Sequence, residues 1–489
     1  MTPSDYQERL MLYPDLARFD QLIQEHIQSG FFNLSDRVFI NRTPGRLDLM
    51  GGNDDYTGGL VFEKTIREAT FAAVQPRQDR QVRFSNPAVR DLGWSDLVVF
   101  TLDDLLAGDK LKNLPQMRDW VNSDPRRSWC AYIIGDLYLL MQRFPEKITH
   151  GFDLLITSDV PLGKGVSSSA ALEVAPMKAM AAMYVIPAGG VELAAWTQWV
   201  EIALTQSACG IMDQVAVILG DEDVFVPMIC QPSQVLTRVK MPGNLLVWGI
   251  DSGVKHAVSG IEYEAARAAT FMGYRHLCSL ENLQPVLDES GALPRWVEPR
   301  WNGYLANLTP SFFRERYEKN LPEVESGADF NRLFATHLDP FTPVRPEVNY
   351  PVRGATRYAV EENARVRAFY SILVNAADKI ENISAQALGE LMYLAHHGYT
   401  ECGLGSEETD LLVSLVRAEE AGGLLGAKIT GGGAGGTVAV LAWNTPAARS
   451  AFQRVVERYQ QQTGIDPYIF EGSSAGCDTF GVLMRERSS

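Results

Sequence analysis

The hydrophobic positions along the chain follow two periods, grouped in blocks rather than in a steady alternation. Apolar residues at Leu10, Leu12, Leu16, Phe19, Leu22 and Ile23 recur at helical spacing and predict a helix over residues 5–30. A strand is expected at 37–40, closed by a Pro44-Gly45 break. Alternation with period two returns at 70–74 and 82–84. A helix at 128–144 and a strand at 151–158 lead into a long small-residue helix at 167–184. Pro176 inside that helix is expected to bend it or end it early. A helix at 191–204 and strands near Val224–Ile229 and Leu245–Asp251 follow.

Residues 280–350 differ, with Trp296, Trp301, Tyr304, Phe312, Phe313 and Phe341 among several prolines. Aromatics of that number favour burial, so the segment reads as an insertion packed on the body rather than a linker. Helices return at 361–374, 385–399 and 409–421. The chain then closes with a strand, a glycine run, a strand at 437–442 and a helix at 446–462. Thr445 as cap and Pro446 in the first turn suit that last start. The mixture lacks a βαβ rhythm, so an α+β protein of two lobes is expected, with a boundary near 235–245. Residues 1–36 form an N-terminal helical extension, 37–240 the first lobe, and 241–489 the second lobe with the 280–350 insertion.

Composition narrows the partners. The 489 residues are 46% hydrophobic and 21% charged, enough for a sizeable core. A net charge of −16, spread along the chain, disfavours nucleic acid or an anionic membrane, which need basic faces. It leaves ATP open, because backbone N–H groups and a metal hold a nucleotide locally. Cys130, Cys209, Cys230, Cys278, Cys402 and Cys477 show no CxxC spacing and read as free thiols of a reducing compartment. The start, Met1 to Asp5, lacks the regions of a signal peptide, and no apolar run reaches the ~20 residues that span a bilayer. A cytoplasmic protein, monomeric or a small homo-oligomer, is expected.

Three glycine-rich segments carry the candidate chemistry. The first, residues 43–59, combines Arg46, Asp48, Asp54 and Asp55 with several glycines, and by itself could be a plain surface loop. The second runs from Ser158 to Glu173 between a strand and a helix. Its Gly163, Gly165, Val166, Ser167, Ser168 and Ser169 would let backbone approach a ligand at a positive helix end, with the serines as caps. It is not a Walker A loop, and an ordinary capped helix is the alternative. The third, residues 428–437, matches GxGxxG at Gly431, Gly433 and Gly436. A strand follows where a dinucleotide fingerprint needs a helix. It reads as a strand–loop–strand pressing a second lobe against the same ligand, or as a tight hairpin.

Taken together, and in this order, the three segments resemble the signature motifs of the GHMP small-molecule kinases. The first resembles the galactokinase branch, whose pattern is PGR followed by GEHTDYNGG, as does 209–214 (Cys-Gly-Ile-Met-Asp-Gln). It resembles still more closely the L-arabinokinase group, with GRLDVMGG and DYSG, as do 65–69, 228–232, 248–253, 402–406 and 470–474. The resemblance spans roughly residues 37–483. It implies the two-lobed GHMP kinase fold, with an N-terminal ribosomal-protein-S5-like lobe and a C-terminal ferredoxin-like lobe. It also implies ATP and Mg²⁺, the latter held by Ser169 and Glu201. Hard oxygen donors suit that ion, although a solvated helix glutamate is the alternative for Glu201. Asp213 would accept or orient the reacting hydroxyl, and Arg46 would keep it ionised and offset phosphoryl charge. Gly432 and Gly433 would approach the nucleotide.

The resemblance further implies that Asp55, Asn53, Gly52, Gly210 and Tyr263 meet the sugar. Relative to GEHTD, the aspartate is kept as Asp55, the histidine becomes Asn53, and the glutamate becomes Gly52. The family's glutamate meets the hydroxymethyl end of galactose, which L-arabinopyranose lacks. A glutamate kept there would stay buried and unpaired at a cost of ~1–3 kcal/mol or more. The expected activity is therefore phosphorylation of L-arabinose to β-L-arabinose 1-phosphate. Galactose or galacturonate kinases are the nearest alternatives, and a sugar- and ATP-binding regulator derived from a kinase is the non-enzyme alternative.

Overall fold

A computed structural model describes residues 3–33, 36–254 and 261–486. Two long strands, Val38–Met50 and Leu60–Pro76, pair as an antiparallel hairpin with the first glycine-rich segment at its tip. The expected break at Pro44-Gly45 does not occur. The strand runs through it, with the register shifting between Pro44 and Arg46. A bulge is where a sheet tolerates a residue that has no N–H to donate. Beyond it, Arg46 stands opposite Thr65 and Asp48 opposite Glu63.

Leu60–Pro76 pairs further with Phe152–Ser158 and Val224–Ile229, inside a nine-stranded sheet. A second sheet has the order Leu424–Ile429, Thr437–Trp443, Leu245–Asp251, Ile469–Glu471, antiparallel throughout. The chain passes from the first sheet to the second between Val239–Lys240 and Leu245–Asp251. The last strand, Val482–Arg485, crosses back to pair with Val38–Met50. Space and sequence order therefore part company at the C-terminus. The architecture is α+β and two-lobed, one lobe around each sheet.

Three expectations change on contact with the structure. Residues 5–30 form two helices, Pro3–Leu12 and Pro14–Gln28, because Pro14 disfavours helical backbone at Tyr13 and suits a first turn. Leu16, Phe19 and Ile23 of the second helix bury against Phe71, Leu155 and Leu483. The helix Ser168–Met183 continues through Pro176 without ending. Pro176 is buried there, and Ala170, Ala171, Ala175 and Ala179 are at most 1% exposed. Tertiary packing of a small-residue helix holds it across the lost hydrogen bond. The helix expected at 361–374 is the second half of a longer one, Val352–Val374.

The insertion is packed on the body. Trp301, Phe313, Tyr317 and Leu321 are buried against Phe271, Tyr274 and Leu277 of the helix Ile261–Leu280, while Phe312 stays at the surface. A separate core joins the lobes, with Leu47, Leu49 and Phe62 of the hairpin meeting Leu388, Met392, Leu441 and Phe470. All six cysteines are free, and among the described residues no helix is long and apolar enough to cross a membrane.

Candidate active site

The bulge after Pro44 turns Arg46 inward, where it is 2% exposed. Its Nη1 donates to the Gly165 carbonyl at 2.6 Å, and its backbone N–H to the Val166 carbonyl at 3.1 Å. The first and second segments are thus stitched together through one arginine. Nε and Nη2 both donate to Asp213 Oδ1, at 2.9 and 2.6 Å. Asp213 lies in the first turn of the helix Met212–Leu219, where the helix dipole favours a carboxylate. Burial opposes the charge on Arg46, but the acids around it, Asp213 foremost, outweigh it and raise the arginine further above its ordinary range.

A cavity of about 180 Å³ opens in front of this pair, lined by Arg46, Asn53, Asp55, Ser207, Ala208, Cys209, Gly210, Met212, Asp213, Tyr263, Gly431 and Gly432. Larger crevices of about 950 and 1020 Å³ exist, but neither is lined by Arg46, Asp213 or a glycine of the three segments. The chemistry therefore selects the small one. Asn53 has left-handed backbone, φ 57°, and both polar atoms of its amide are buried without a partner in the protein. Buried polar atoms rarely stay unpaired, so this amide can pair with a polar group that enters the cavity. Asp55 accepts the Tyr56 N–H at 2.9 Å and faces the Met212 N–H at 3.4 Å. Burial, then the charge on Asp213, pushes the Asp55 carboxyl up to about 6, with Arg267 pulling the other way. Gly210 is required beside it, because a Cβ there would stand 1.6 Å from Asp55 Oδ2.

Gly52 departs from its expected role. It does not line the cavity, and a Cβ on it would lie 1.9 Å from Tyr399 Oη and 2.1 Å from Asp48 Oδ2. The space beside Gly52 is already filled from the other lobe, so the residue accommodates Tyr399 rather than touching a ligand. Gly433 likewise turns away, its Cβ position 2.7 Å from Leu404, whereas Gly432 reaches the cavity.

In the second segment, Ser167 does not cap the helix as expected. Its backbone is left-handed, φ 61°, and its hydroxyl is buried without a partner in the protein. The left-handed turn takes that hydroxyl off the helix end and leaves the first N–H groups of Ser168–Met183 uncapped, as an anion cradle requires. Gly163 and Gly165, both at φ 70°, make the turn that precedes it. Lys164 Nζ meets Asp251 Oδ2 at 2.7 Å, and the Lys164 carbonyl accepts the Thr437 hydroxyl at 2.8 Å, which fastens this loop to the third segment.

Glu201, 5% exposed, sits behind the same helix end and accepts the Gln214 amide at 2.8 Å. Burial and the charge on Asp213 push it up to about 7, and hydrogen bonds from Cys209, Ser169 and Gln214 pull it back. Ser169 and Glu201 are therefore neighbours, a hydroxyl and a carboxylate of the hard-oxygen type that Mg²⁺ takes. Among the described residues no group of three or more His, Cys, Asp or Glu could hold a metal.

Arg267 and Asp339 had no signal in the sequence, and neither did the pairing of Lys428 with Asp48. Arg267 is buried, makes a two-pronged contact to Asp339 at 2.8 and 3.0 Å, and donates to the carbonyls of Ala208 and Cys209 at 3.2 and 3.3 Å. Asp339 comes from the insertion, which thereby braces the cavity wall. Lys428 and Asp48 form a fully buried ion pair across the lobes at 2.7 Å.

Comparison with known proteins identifies the family. Residues 131–221 match the GHMP kinases N terminal domain, 376–461 the GHMP kinases C terminal domain, and 30–76 the galactokinase galactose-binding signature. The chain is 36% identical to L-arabinokinase of Arabidopsis thaliana over 94% of its own length, and spans about half of that protein (48%). It is 31% identical to the galactokinase of Chloroflexus aggregans, covering 82% of this chain and 83% of that one. Among solved structures, Lactococcus lactis galactokinase complexed with galactose superposes with a TM-score of 0.71 at 20% identity, covering 95% of this chain and 99% of that one. Methanococcus jannaschii mevalonate kinase gives 0.54 at 14% identity, covering 89% and 98%. The chain belongs to the GHMP kinase family, in its galactokinase branch.

Proposed function

We propose that the chain is an ATP-dependent sugar 1-kinase whose substrate is L-arabinose and whose product is β-L-arabinose 1-phosphate. The observation that carries this reading is the Arg46–Asp213 pair facing a small cavity that also holds the unpartnered amide of Asn53 and the carboxyl of Asp55. Both arginine donations fall on Asp213 Oδ1, which leaves Oδ2 for a substrate hydroxyl. Oδ2 takes the proton of the anomeric hydroxyl as its oxygen bonds to the γ-phosphorus of ATP. The bond from that phosphorus to the β,γ-bridging oxygen breaks in line, and ADP leaves with the bond's electron pair.

Arg46 keeps Asp213 ionised and fixed, so positioning and charge are set before the substrate arrives. The helix end after Ser167, with Gly163, Gly165, Val166 and Ser168, holds phosphate oxygens through backbone N–H groups. Ser169 and Glu201 would hold Mg²⁺, which when bound supplies charge neutralisation on those oxygens. Asn53, Asp55, Gly210 and Tyr263 set the sugar's register.

Likeness to both arabinokinase and galactokinase leaves the sugar to be tested by ADP release with L-arabinose, D-galactose and D-galacturonate side by side. Turnover concentrated on L-arabinose supports the reading. Preference for galactose would overturn the substrate and keep the kinase. Binding of sugar and ATP without turnover on any of the three would make the chain a regulator.

A further inference from the structure

Two acids meet behind Arg46, and neither lines the cavity. Asp48 and Glu63 stand directly opposite each other on the hairpin strands, with exposures of 0% and 1%. Directly opposed residues of an antiparallel pair have their Cβ atoms about 4.5–5.5 Å apart, within reach of one hydrogen bond between two carboxyl groups. Two cations lie near, and each makes its shortest contact with another acid or with the other oxygen. Arg46 is taken by Asp213 at 2.6 Å, and Lys428 by Asp48 Oδ2 at 2.7 Å. Glu63 Oε2 is 3.2 Å from Arg46 Nε, but that N–H points at Asp213. Both oxygens of Glu63, and Oδ1 of Asp48, are buried without a hydrogen-bond partner.

Three unpartnered carboxyl oxygens on two facing residues are costly as two carboxylates; an acid on Glu63 donating to Asp48 Oδ1 pairs two of them and leaves the third as a neutral carbonyl oxygen. The charges agree. Arg46 and Lys428 already balance Asp213 and Asp48, so an ionised Glu63 would leave one uncompensated buried charge.

We infer that Asp48 and Glu63 share one proton, carried on Glu63, and that this pair is the positioning element that fixes Arg46 against Asp213. Burial and the charge on Asp48 raise Glu63 well above the usual carboxylate range, and Arg46 and Lys428 pull it back only in part. The groups facing it are Arg46 and Asp48 from its partner strand, Asp213 from the helix Met212–Leu219, and Lys428 from the second sheet. With Glu63 neutral, the guanidinium is not divided between two carboxylates. With Asp48 anchored to Lys428, the hairpin is also tied to the other lobe.

The functional part of this inference rests on the kinase reading, and the test separates the two. Infrared difference spectra of wild type minus Glu63→Gln, without substrate, are expected to show a protonated carboxyl band at neutral pH. Glu63→Gln, whose amide can replace the acid as donor to Asp48, should keep kcat within about threefold and leave the pH profile unchanged. Glu63→Leu should lower kcat about tenfold or more with little change in either KM, the pattern of a mispositioned catalytic pair. Absence of the band, or Glu63→Gln as impaired as Glu63→Leu, would overturn the shared proton. A wild-type kcat in Glu63→Leu would overturn the positioning role. Should Glu63→Leu fail to fold, the band and Glu63→Gln decide. A wild type without turnover on any sugar contradicts the kinase reading and leaves the band to decide the proton.

Discussion

Arg46 directs two donors at one oxygen of Asp213, with Nε at 2.9 Å and Nη2 at 2.6 Å from Oδ1. The arginine side chain is 2% exposed and the aspartate side chain 27%, so the cation forms a fixed wall and the carboxylate faces the cavity. A third donation, Nη1 to the Gly165 carbonyl, locks this wall to the segment proposed to hold phosphate.

Asp213→Asn keeps the shape of the side chain and removes the proton acceptor. It should lower kcat by ~10²–10⁴-fold, the usual share of a general base, with the KM for ATP within a few-fold. Arg46→Lys keeps the charge but loses the fork that serves Asp213 and Gly165 at once, so it should be nearly as damaging. Steady-state ADP release checks both, and a near-normal kcat in Asp213→Asn would contradict the assignment.

Asp55 gives a pH signature. Its carboxyl is pushed up to about 6 by burial and by Asp213, so kcat/KM for the sugar should fall as pH drops through that value. A raised carboxyl stabilises the fold fully below its ordinary value of 3.8 and loses that contribution as pH rises through about 6. Asp55→Asn cannot ionise. Its melting temperature relative to wild type should therefore climb between about pH 4 and 7 while its activity stays low. An offset that does not change with pH would contradict this.

The sequence was most legible where chemistry is concentrated in short segments. Arg46, Asn53, Asp55, Gly210, Asp213, Tyr263 and Gly432 come from distant parts of the chain and share one cavity. What it could not convey were contacts made by ordinary residues brought together by the fold. Arg267 lies in a stretch with no motif of its own, and Asp339 is one acid among several in the insertion. Their two-pronged contact exists only once that insertion has folded onto the body. Gly52 departs from its expected role for the same reason. Its missing side chain is explained by Tyr399, which lies nearly 350 residues further along the chain. Local rules predict a break at Pro44 and a bend or early end at Pro176, because they know nothing of a bulge or of a buried helix.

Gly52→Ala should cost ~1–3 kcal/mol of stability, the usual penalty of overpacking, because both nearest atoms are buried and held. Tyr399 Oη donates to the Gly431 carbonyl at 2.8 Å, and Asp48 is paired with Lys428. Tyr399→Phe removes the nearer of the two atoms and should recover part of the loss. Gly52→Glu alone should lose stability without gaining galactose turnover. Thermal melts and ADP release read both, and an unaffected melt in Gly52→Ala would contradict the packing account.

Asp339→Ala leaves Arg267 buried without its carboxylate, which should cost ~3–5 kcal/mol. Because Arg267 also holds the carbonyls of Ala208 and Cys209, the KM for the sugar should rise more than the KM for ATP. Denaturant unfolding with steady-state kinetics tests this. A variant as stable as wild type would show that the insertion does not brace the cavity.

The most direct test of the central claim is phosphorus NMR of the product formed from L-arabinose and Mg²⁺-ATP. The account predicts a phosphomonoester signal split by the anomeric proton, appearing with ADP in equal amounts and absent with Asp213→Asn. A phosphate on any other hydroxyl, or ADP formed with inorganic phosphate and no sugar phosphate, would contradict it.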